Sequence, residues 1–277
     1  MSVLSEDRPP VRLSVVVPVF NEADNVLPLL EEIERALASA RASVGAFEVI
    51  YVDDGSSDDT LARLAPVVAA GRLRLVRHVN RSGQSAAVRT GVKAARGDWI
   101  ATLDGDGQND PADIPNLFAL AAKGGPDAPV LVGGLRRKRQ DTLSKRLASR
   151  FANAVRQSFL QDGCTDSGCG LKLFRRDAFL DLPFFGAMHR FLPALFRAHG
   201  HPVAYVPVNH RPRERGVSKY TNWRRGLIGV VDLLGVYWLK RRTVLSASVE
   251  TAGEMAAIDD AAGSKVGTAA TAVADRP

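Results

Sequence analysis

Apolar runs alternate with helically spaced apolar residues through the first half of the chain. Three short runs rich in Val, Ile and Leu predict buried strands at residues 13–17, 47–52 and 99–101. Apolar residues then recur every three or four positions over residues 22–40, where one helix face would bury Val26, Leu29, Leu30, Ile33 and Leu37. Asn21 precedes this segment as an N-cap. Repeated strand and helix segments predict an α/β fold with a mainly parallel sheet flanked by helices.

The same alternation predicts the remaining elements. Helices are expected at residues 57–70, 85–95 and 112–122, and strands at 73–76 and 130–132. The second half predicts a basic helix at 143–160, a Gly-rich turn entering a strand at 166–174, a helix at 189–199, a strand at 203–208 and a helix at 222–242. From residue 246 the composition is typical of disorder. We therefore expect one main domain over 12–220, a disordered N-terminus over 1–11, a separate helix over 221–242 and a disordered tail over 243–277.

Polar loops follow each of the three apolar strands. The third strand leads into Asp104 and Asp106, which are separated by a single glycine and followed by Gln108. In extended backbone this spacing points both carboxylates to one side, where they repel each other unless a cation lies between them. Oxygen-only ligands suit Mg²⁺ or Mn²⁺. The alternative is an acidic turn that caps the next helix, and Asp110 and Pro111 fit a cap and first turn.

The net charge of the chain indicates which kinds of partner it can bind. The 277 residues carry a net charge of +7, which favours an anionic partner such as a nucleotide, a phospholipid surface or nucleic acid. No G-x-G-x-x-G or P-loop sequence is present. The two cysteines, Cys164 and Cys169, are too few for a structural zinc site. We expect two reduced thiols, and the alternative is a single disulfide. The polar first ten residues do not resemble a signal peptide.

Five short motifs occur in order along the chain, at residues 17–22, 52–56, 80–84, 103–108 and 216–220. Together they resemble glycosyltransferase family 2, whose members have the GT-A (Rossmann-like) fold. Within that family the chain is most similar to the polyprenyl-phosphate glycosyltransferases, the group that includes dolichol-phosphate mannosyltransferase. The resemblance covers roughly residues 12–242. It implies an inverting enzyme, dependent on Mg²⁺ or Mn²⁺, that moves a sugar from GDP-mannose or a UDP-hexose to polyprenyl phosphate.

The resemblance also implies roles for individual residues. Donor-binding residues would be Pro18, Phe20, Glu22, Asp53, Asp104, Gly105, Asp106, Gln108, Arg136, Arg213 and Lys219. Of these, Asp104, Asp106 and Gln108 would be metal ligands, and Asp106, Arg213 and Lys219 would act in catalysis, with Arg190 in the acceptor region. Cleavage of a sugar–phosphate bond builds negative charge on the leaving diphosphate, and a metal ion with Arg or Lys stabilises that charge.

Two alternatives remain at this point. A family 2 enzyme acting on a glycan or lipid hydroxyl would need a base, for which Asp166 is the candidate, although capping of its own turn is the simpler role. A phosphate acceptor has a second pKa of about 6 and needs little base catalysis. The other alternative is a basic protein that binds a membrane or nucleic acid without catalysis. Paired carboxylates in a central cleft repel phosphate unless a metal intervenes, so we expect no nucleic-acid partner.

The helix expected at 222–242 bears on location. Its apolar part, residues 226–239, is about 21 Å long as a helix, short of the roughly 30 Å hydrocarbon core of a bilayer. Basic residues flank it, and Trp223, Tyr237 and Trp238 lie near its ends. We expect a peripheral protein on the cytoplasmic, inner face of the plasma membrane. The alternatives are a helix that packs on the domain and one that pairs with a second subunit in a homo-oligomer.

Overall fold

The computed structural model describes residues 10–125, 128–137, 153–212 and 222–244, without the side chains of 222–228. Its centre is a seven-stranded sheet with the order β3-β2-β1-β4-β6-β5-β7. The strands are β1 (Leu13–Val19), β2 (Phe47–Asp53), β3 (Arg74–Arg77), β4 (Trp99–Thr102), β5 (Leu131–Arg136), β6 (Lys172–Arg175) and β7 (Val203–Val208). Only β6 runs antiparallel to its neighbours, β4 and β5. The predicted mainly parallel sheet is therefore confirmed.

Helices cover both faces of this sheet. They are α1 (Val26–Ser39), α2 (Arg41–Val44), α3 (Thr60–Ala69), α4 (Gln84–Ala94), α5 (Ile114–Ala121), α6 (residues 153–160), α7 (Arg176–Leu180), α8 (Leu192–Ala198) and α9 (Asn222–Arg242). Short 3₁₀ turns occupy Pro111–Asp113 and Met188–Arg190. The rest of the basic helix predicted at 143–160, and both predicted disordered ends except for residues 10, 11, 243 and 244, lie outside the described residues.

Alternation along β1 divides the core between the two faces. Val15 and Val17 pack in the cluster that contains α1, α3 and α5, whereas Val16 packs in the cluster that contains α4, α7 and α8. All five apolar residues predicted for the buried face of α1 are buried. Burial on both faces explains why the strand reads as an apolar run interrupted only by Ser14.

The start of α1 differs from the sequence prediction. The helix begins at Val26, and Asn25, which makes no side-chain cap bond, is its N-cap. Asn21 was expected to cap the helix, but its side-chain oxygen accepts a 2.8 Å hydrogen bond from the backbone of Ser57. The residue thereby joins the loops that follow β1 and β2. The expected cap at Asp110 is confirmed, since its carboxylate accepts from the backbone of Ala112.

The last helix packs against the domain with one face. Val236 is buried in the core, the ring of Tyr237 meets Phe159 edge-on, and Nζ of Lys240 donates to the carbonyl of Leu160. The opposite face exposes Val230, Val231, Leu234 and Trp238. Within the described chain, every helix is too short or too polar to cross a membrane.

Candidate active site

A cavity of about 460 Å³ lies at the carboxyl edge of the central strands. Its walls come from the loops after β1, β2 and β4, from the start of α4, and from the turn that precedes β6. Nine predicted site residues line it: Pro18, Phe20, Glu22, Asp104, Gly105, Asp106, Gln108, Arg136 and Arg190. Strand ends in an open α/β sheet converge at this edge, so residues distant in sequence meet there.

The loop that carries the two carboxylates lies directly on the end of β1. A Cβ added to Gly105 would stand 2.8 Å from Cγ1 of Val19 and 2.9 Å from the carbonyl oxygen of Pro18. Gly107 has a φ of +72°, a conformation that glycine adopts without strain. The backbone of Asp104 donates to the side-chain oxygen of Asn109, which closes the loop. The glycines therefore permit both the close approach and the sharp turn.

The environment of Asp104 opposes its charge. Burial, and then the neighbouring Asp106, raise the pKa of Asp104 to about 6. The charges of Lys172 and Arg136 act in the opposite direction, as does a 2.7 Å hydrogen bond from Nε2 of Gln84. A Cβ on Gly170 would overlap the Asp104 carboxylate, so a larger residue at this turn would force the carboxylate to shift. A cation between the two carboxylates would relieve their repulsion.

The oxygen groups of this loop fit a Mg²⁺ or Mn²⁺ ion. The described residues contain no group of three or more His, Cys, Asp or Glu side chains arranged around a metal position. The donor set is instead two carboxylates, Asp104 and Asp106, with the amide of Gln108. Mg²⁺ usually uses one or two carboxylates and completes its shell with water and substrate phosphate. A site with few protein ligands is thus the expected form.

Basic side chains also line the cavity, among them Arg136 and Lys172. Arg136 binds Asp166 in a bidentate pair, with distances of 2.6 Å from Nε to Oδ2 and 2.5 Å from Nη2 to Oδ1. The turn itself is closed by a backbone bond from Cys169 to the carbonyl of Asp166. Nζ of the buried Lys172 donates to the carbonyl of Cys169. Asp166 was the candidate base of the hydroxyl-acceptor alternative. In this structure both of its carboxylate oxygens bind Arg136 and orient it.

Of the neighbouring residues Asp53 and Asp54, only Asp54 lines the cavity. The side chain of Asp53 is fully buried, accepts from the backbone of Ser56 and does not line the cavity. Its expected contact with a donor base stays a prediction. Asp54 lines the cavity and accepts from Nδ1 of His78 and from the backbones of Ser82 and Gly83, each at 2.8 Å. Asp54 thereby fixes the loop that leads into α4.

Sequence reasoning also missed Arg81, Gln84, Lys172 and His189, which line the cavity. The guanidinium of Arg81 lies 4.2 Å from the centre of the Phe20 ring, and Gln84 contacts Asp104. Both belong to the motif at residues 80–84, which could have identified them. Lys172 and His189 have no such signal. His189 lines the cavity, and its Nδ1 lies 2.8 Å from the hydroxyl of Ser85. Arg213 and Lys219, also expected here, lie outside the described residues.

Comparison with known proteins identifies the family. The model of "Glycosyl transferase family 2" matches residues 14–182. This chain belongs to glycosyl transferase family 2. It is 36% identical over 237 residues to a dodecaprenyl-phosphate galacturonate synthase from Rhizobium johnstonii, covering 83% of this chain and 68% of the relative. It is 36% identical over 212 residues to an undecaprenyl-phosphate 4-deoxy-4-formamido-L-arabinose transferase from Sodalis glossinidius, covering 76% and 63%. The chain thus spans 63% to 68% of the length of these family 2 relatives.

Solved structures agree with the GT-A fold. Glucosyl-3-phosphoglycerate synthase from Mycobacterium tuberculosis, in complex with Mn²⁺, UDP and glucosyl-3-phosphoglycerate, aligns with a TM-score of 0.59 and 21% identity. The alignment covers 83% of this chain and 80% of that one. The same synthase with Mg²⁺ and UDP aligns with a TM-score of 0.60 and 22% identity, covering 81% and 80%. The predicted fold class is confirmed.

Proposed function

We propose that this family 2 protein is an inverting glycosyltransferase that moves a sugar from a nucleotide-sugar donor, GDP-mannose or a UDP-hexose, to polyprenyl phosphate. One observation carries the proposal: Asp104, Asp106 and Gln108 face the same cavity as Arg136 and Arg190. Carboxylate and amide oxygens suit a cation that holds a diphosphate, and the arginines suit the phosphate oxygens of donor and acceptor. The two polyprenyl-phosphate enzymes among its relatives support this acceptor class.

Asp104, Asp106 and Gln108 would hold Mg²⁺ or Mn²⁺, which when bound neutralises charge on the leaving diphosphate. Structural neighbours crystallised with these ions and UDP support this assignment. Phe20 and Arg81 stack on each other and line the cavity, where they would contact the donor. Arg213 and Lys219 would add positive charge from the loop after β7.

The charged side chains of the cavity favour a phosphate acceptor over a hydroxyl acceptor. The phosphate monoester has a second pKa of about 6 and is already a charged nucleophile at neutral pH. Arg190 would bind and orient it, with Arg136 assigned to the donor diphosphate, and no proton has to be removed before attack on the anomeric carbon. Asp166 forms a bidentate pair with Arg136, so its role is to orient that guanidinium. A hydroxyl acceptor would need a base that these contacts do not favour.

The exposed face of α9 supports a membrane location. Val230, Leu234 and Trp238 are each at least half exposed and follow one another at four-residue intervals, so they form one stripe. Arg241 and Arg242 end the helix and are exposed. An apolar stripe with basic ends can insert at headgroup level. The protein would therefore dock peripherally on the cytoplasmic face, where a polyprenyl tail is embedded.

Transfer to a lipid acceptor tests the function directly. The protein is incubated with labelled GDP-mannose, UDP-glucose or UDP-galacturonate, with undecaprenyl phosphate in detergent and Mn²⁺. We expect label in the organic phase, no label there with EDTA or with Asp106→Ala, and no transfer to undecaprenol, which lacks the phosphate. Transfer to undecaprenol or to a sugar hydroxyl, with none to the phosphate, would contradict the proposal in favour of the hydroxyl alternative.

A further inference from the structure

The loop after β7 is hydrogen-bonded to the loop after β4, although β6 and β5 separate these strands in the sheet. Asn109 and His210 form an isolated antiparallel bridge. The backbone nitrogen of Arg211 donates to the carbonyl of Gln108 at 2.9 Å, and Nε2 of Gln108 donates to the carbonyl of Arg211 at 3.3 Å. Because the sheet does not bring these ends together, the contacts between the two loops determine their spacing.

The guanidinium of Arg211 joins two further parts of the fold. Its Nη1 donates to Oε2 of Glu32 on α1 at 2.6 Å, and its Nη2 lies 2.8 Å from Oδ1 of Asp110 in the loop after β4. Such charge-assisted contacts are stronger than neutral hydrogen bonds. One planar cation thus separates two carboxylates that would otherwise repel each other. The fork of an arginine can reach both partners, whereas a lysine presents a point charge.

These contacts lie immediately beside the predicted metal ligands. A small cavity of about 120 Å³ is lined by Glu32, Asp106, Gly107 and Arg211, among others. Asp106 therefore lines both the active-site cavity and the small cavity beside Arg211. Since the amide nitrogen of Gln108 is bound to the carbonyl of Arg211, its amide oxygen remains available to a cation.

We propose that Arg211 is a positioning residue for the metal and diphosphate site. Its guanidinium fixes residues 106–110 against α1, and its main chain selects the amide orientation of Gln108. Arg211 does not line the active-site cavity, so it acts through these neighbours. The inference rests on the proposed function, because it concerns the cation that Asp106 and Gln108 would bind.

Three variants and one control separate this role from general stability. Arg211→Met removes the charge but keeps an unbranched stem, Arg211→Lys keeps the charge without the fork, and Glu32→Gln weakens one partner. The matched control is Arg72→Met, which breaks the ion pair of Arg72 with Glu34, two residues further along the same helix. Neither Arg72 nor Glu34 lines either cavity.

The first measurement needs no metal. Hydrogen exchange of a peptide covering residues 104–111 is followed in EDTA, and Arg211→Met should exchange about tenfold faster than wild type, since hydrogen bonds to a charged group are lost. The second measurement is Mn²⁺ binding by electron paramagnetic resonance, with UDP or GDP present. Arg211→Met should raise the dissociation constant about 10- to 100-fold, as loss of a residue behind a metal ligand does. Arg211→Lys should fall in between, and Arg72→Met should match wild type in both measurements.

Each outcome decides the inference. Unchanged exchange and unchanged Mn²⁺ affinity in Arg211→Met would overturn it, as would faster exchange without weaker Mn²⁺ binding. If Arg211→Met does not fold, Arg211→Lys and Glu32→Gln replace it, and wild-type behaviour in both overturns the inference. Wild-type protein that binds no Mn²⁺ with either nucleotide would instead contradict the proposed function. The exchange experiment then still decides whether Arg211 fixes the loop.

Discussion

At the scale of single residues, the raised pKa of Asp104 makes the folding stability of the protein depend on pH. Its pKa of about 6 in the folded protein lies above the value of about 3.9 expected in an unfolded chain. The folded state therefore binds this proton more tightly, and the resulting stabilisation is complete below pH 4 and lost as the pH rises through 6. Asp104→Asn cannot ionise, so the metal-free variant should gain about 2 to 3 kcal/mol over wild type near pH 7.5.

Unfolding in EDTA at acidic and neutral pH measures this gain. Groups that titrate equally in both proteins cancel in the comparison, so only the difference between Asp104→Asn and wild type matters. A difference that stays constant between about pH 4 and pH 7.5 would mean that the surroundings of Asp104 do not raise its pKa.

Gly170 offers a second prediction at this scale. Alanine at this position would place its Cβ on the Asp104 carboxylate and force that side chain to move. Gly170→Ala should therefore weaken Mn²⁺-dependent donor binding at least about tenfold, as displacement of a metal ligand does. Gly186→Ala is the control, since a Cβ there meets nothing within 4 Å. Calorimetric titration with Mn²⁺ and a nucleotide sugar compares them, and equal binding by both variants would disprove the steric argument.

Single residues also show where sequence reasoning succeeds. The position of Asp104, Asp106 and Gln108 in the cavity was predictable, because they follow an apolar strand directly and strand ends meet at one edge. Asn21 was misread because a short polar side chain suits both a local cap and a contact with Ser57, 36 positions away, and the long-range bond is the one formed. Lys172 could not be predicted, because its place beside Asp104 depends on the pairing of β6 with β4.

At the scale of elements, the sequence left open whether α9 packs on the domain or faces a membrane, and the structure leaves room for both. Helical spacing predicted its extent, but an apolar helix flanked by basic residues can face a domain core or a membrane. The structure gives one face to the core, through Val236 with its partly buried neighbours Leu233 and Leu239, and leaves another face exposed. The sheet was more predictable, since strands with both faces buried read as continuous apolar runs.

The two faces of α9 should respond differently to mutation. Val236→Ala removes buried methyl groups and should destabilise the protein by about 1 to 3 kcal/mol. Leu234→Ser, two residues earlier on the exposed face, should change stability by less than about 0.5 kcal/mol. Chemical denaturation of both variants tests this, and equal losses would show that the exposed face is also packed in solution.

At the scale of the whole molecule, the net charge of +7 and the exposed stripe of α9 act together. Wild type should float with anionic liposomes and be released by high salt, since each Lys or Arg near the surface contributes about 1 kcal/mol that salt screens. Leu234→Ser combined with Trp238→Ser should reduce flotation, and truncation before Asn222 should abolish it. Flotation that persists in the truncated protein would locate the lipid contact elsewhere.

Both thiols of the chain are buried, Cys164 at 2% exposure and Cys169 at 1%, and burial raises the pKa of each. A folded molecule should therefore react slowly with alkylating reagents, because the thiolate is the reactive form. The native cysteines can stay in place when a surface cysteine is introduced for fluorescent labelling. The alkylation rate of Cys169 then measures how often the turn before β6 opens transiently. Cys169 lies in this turn and lines the active-site cavity.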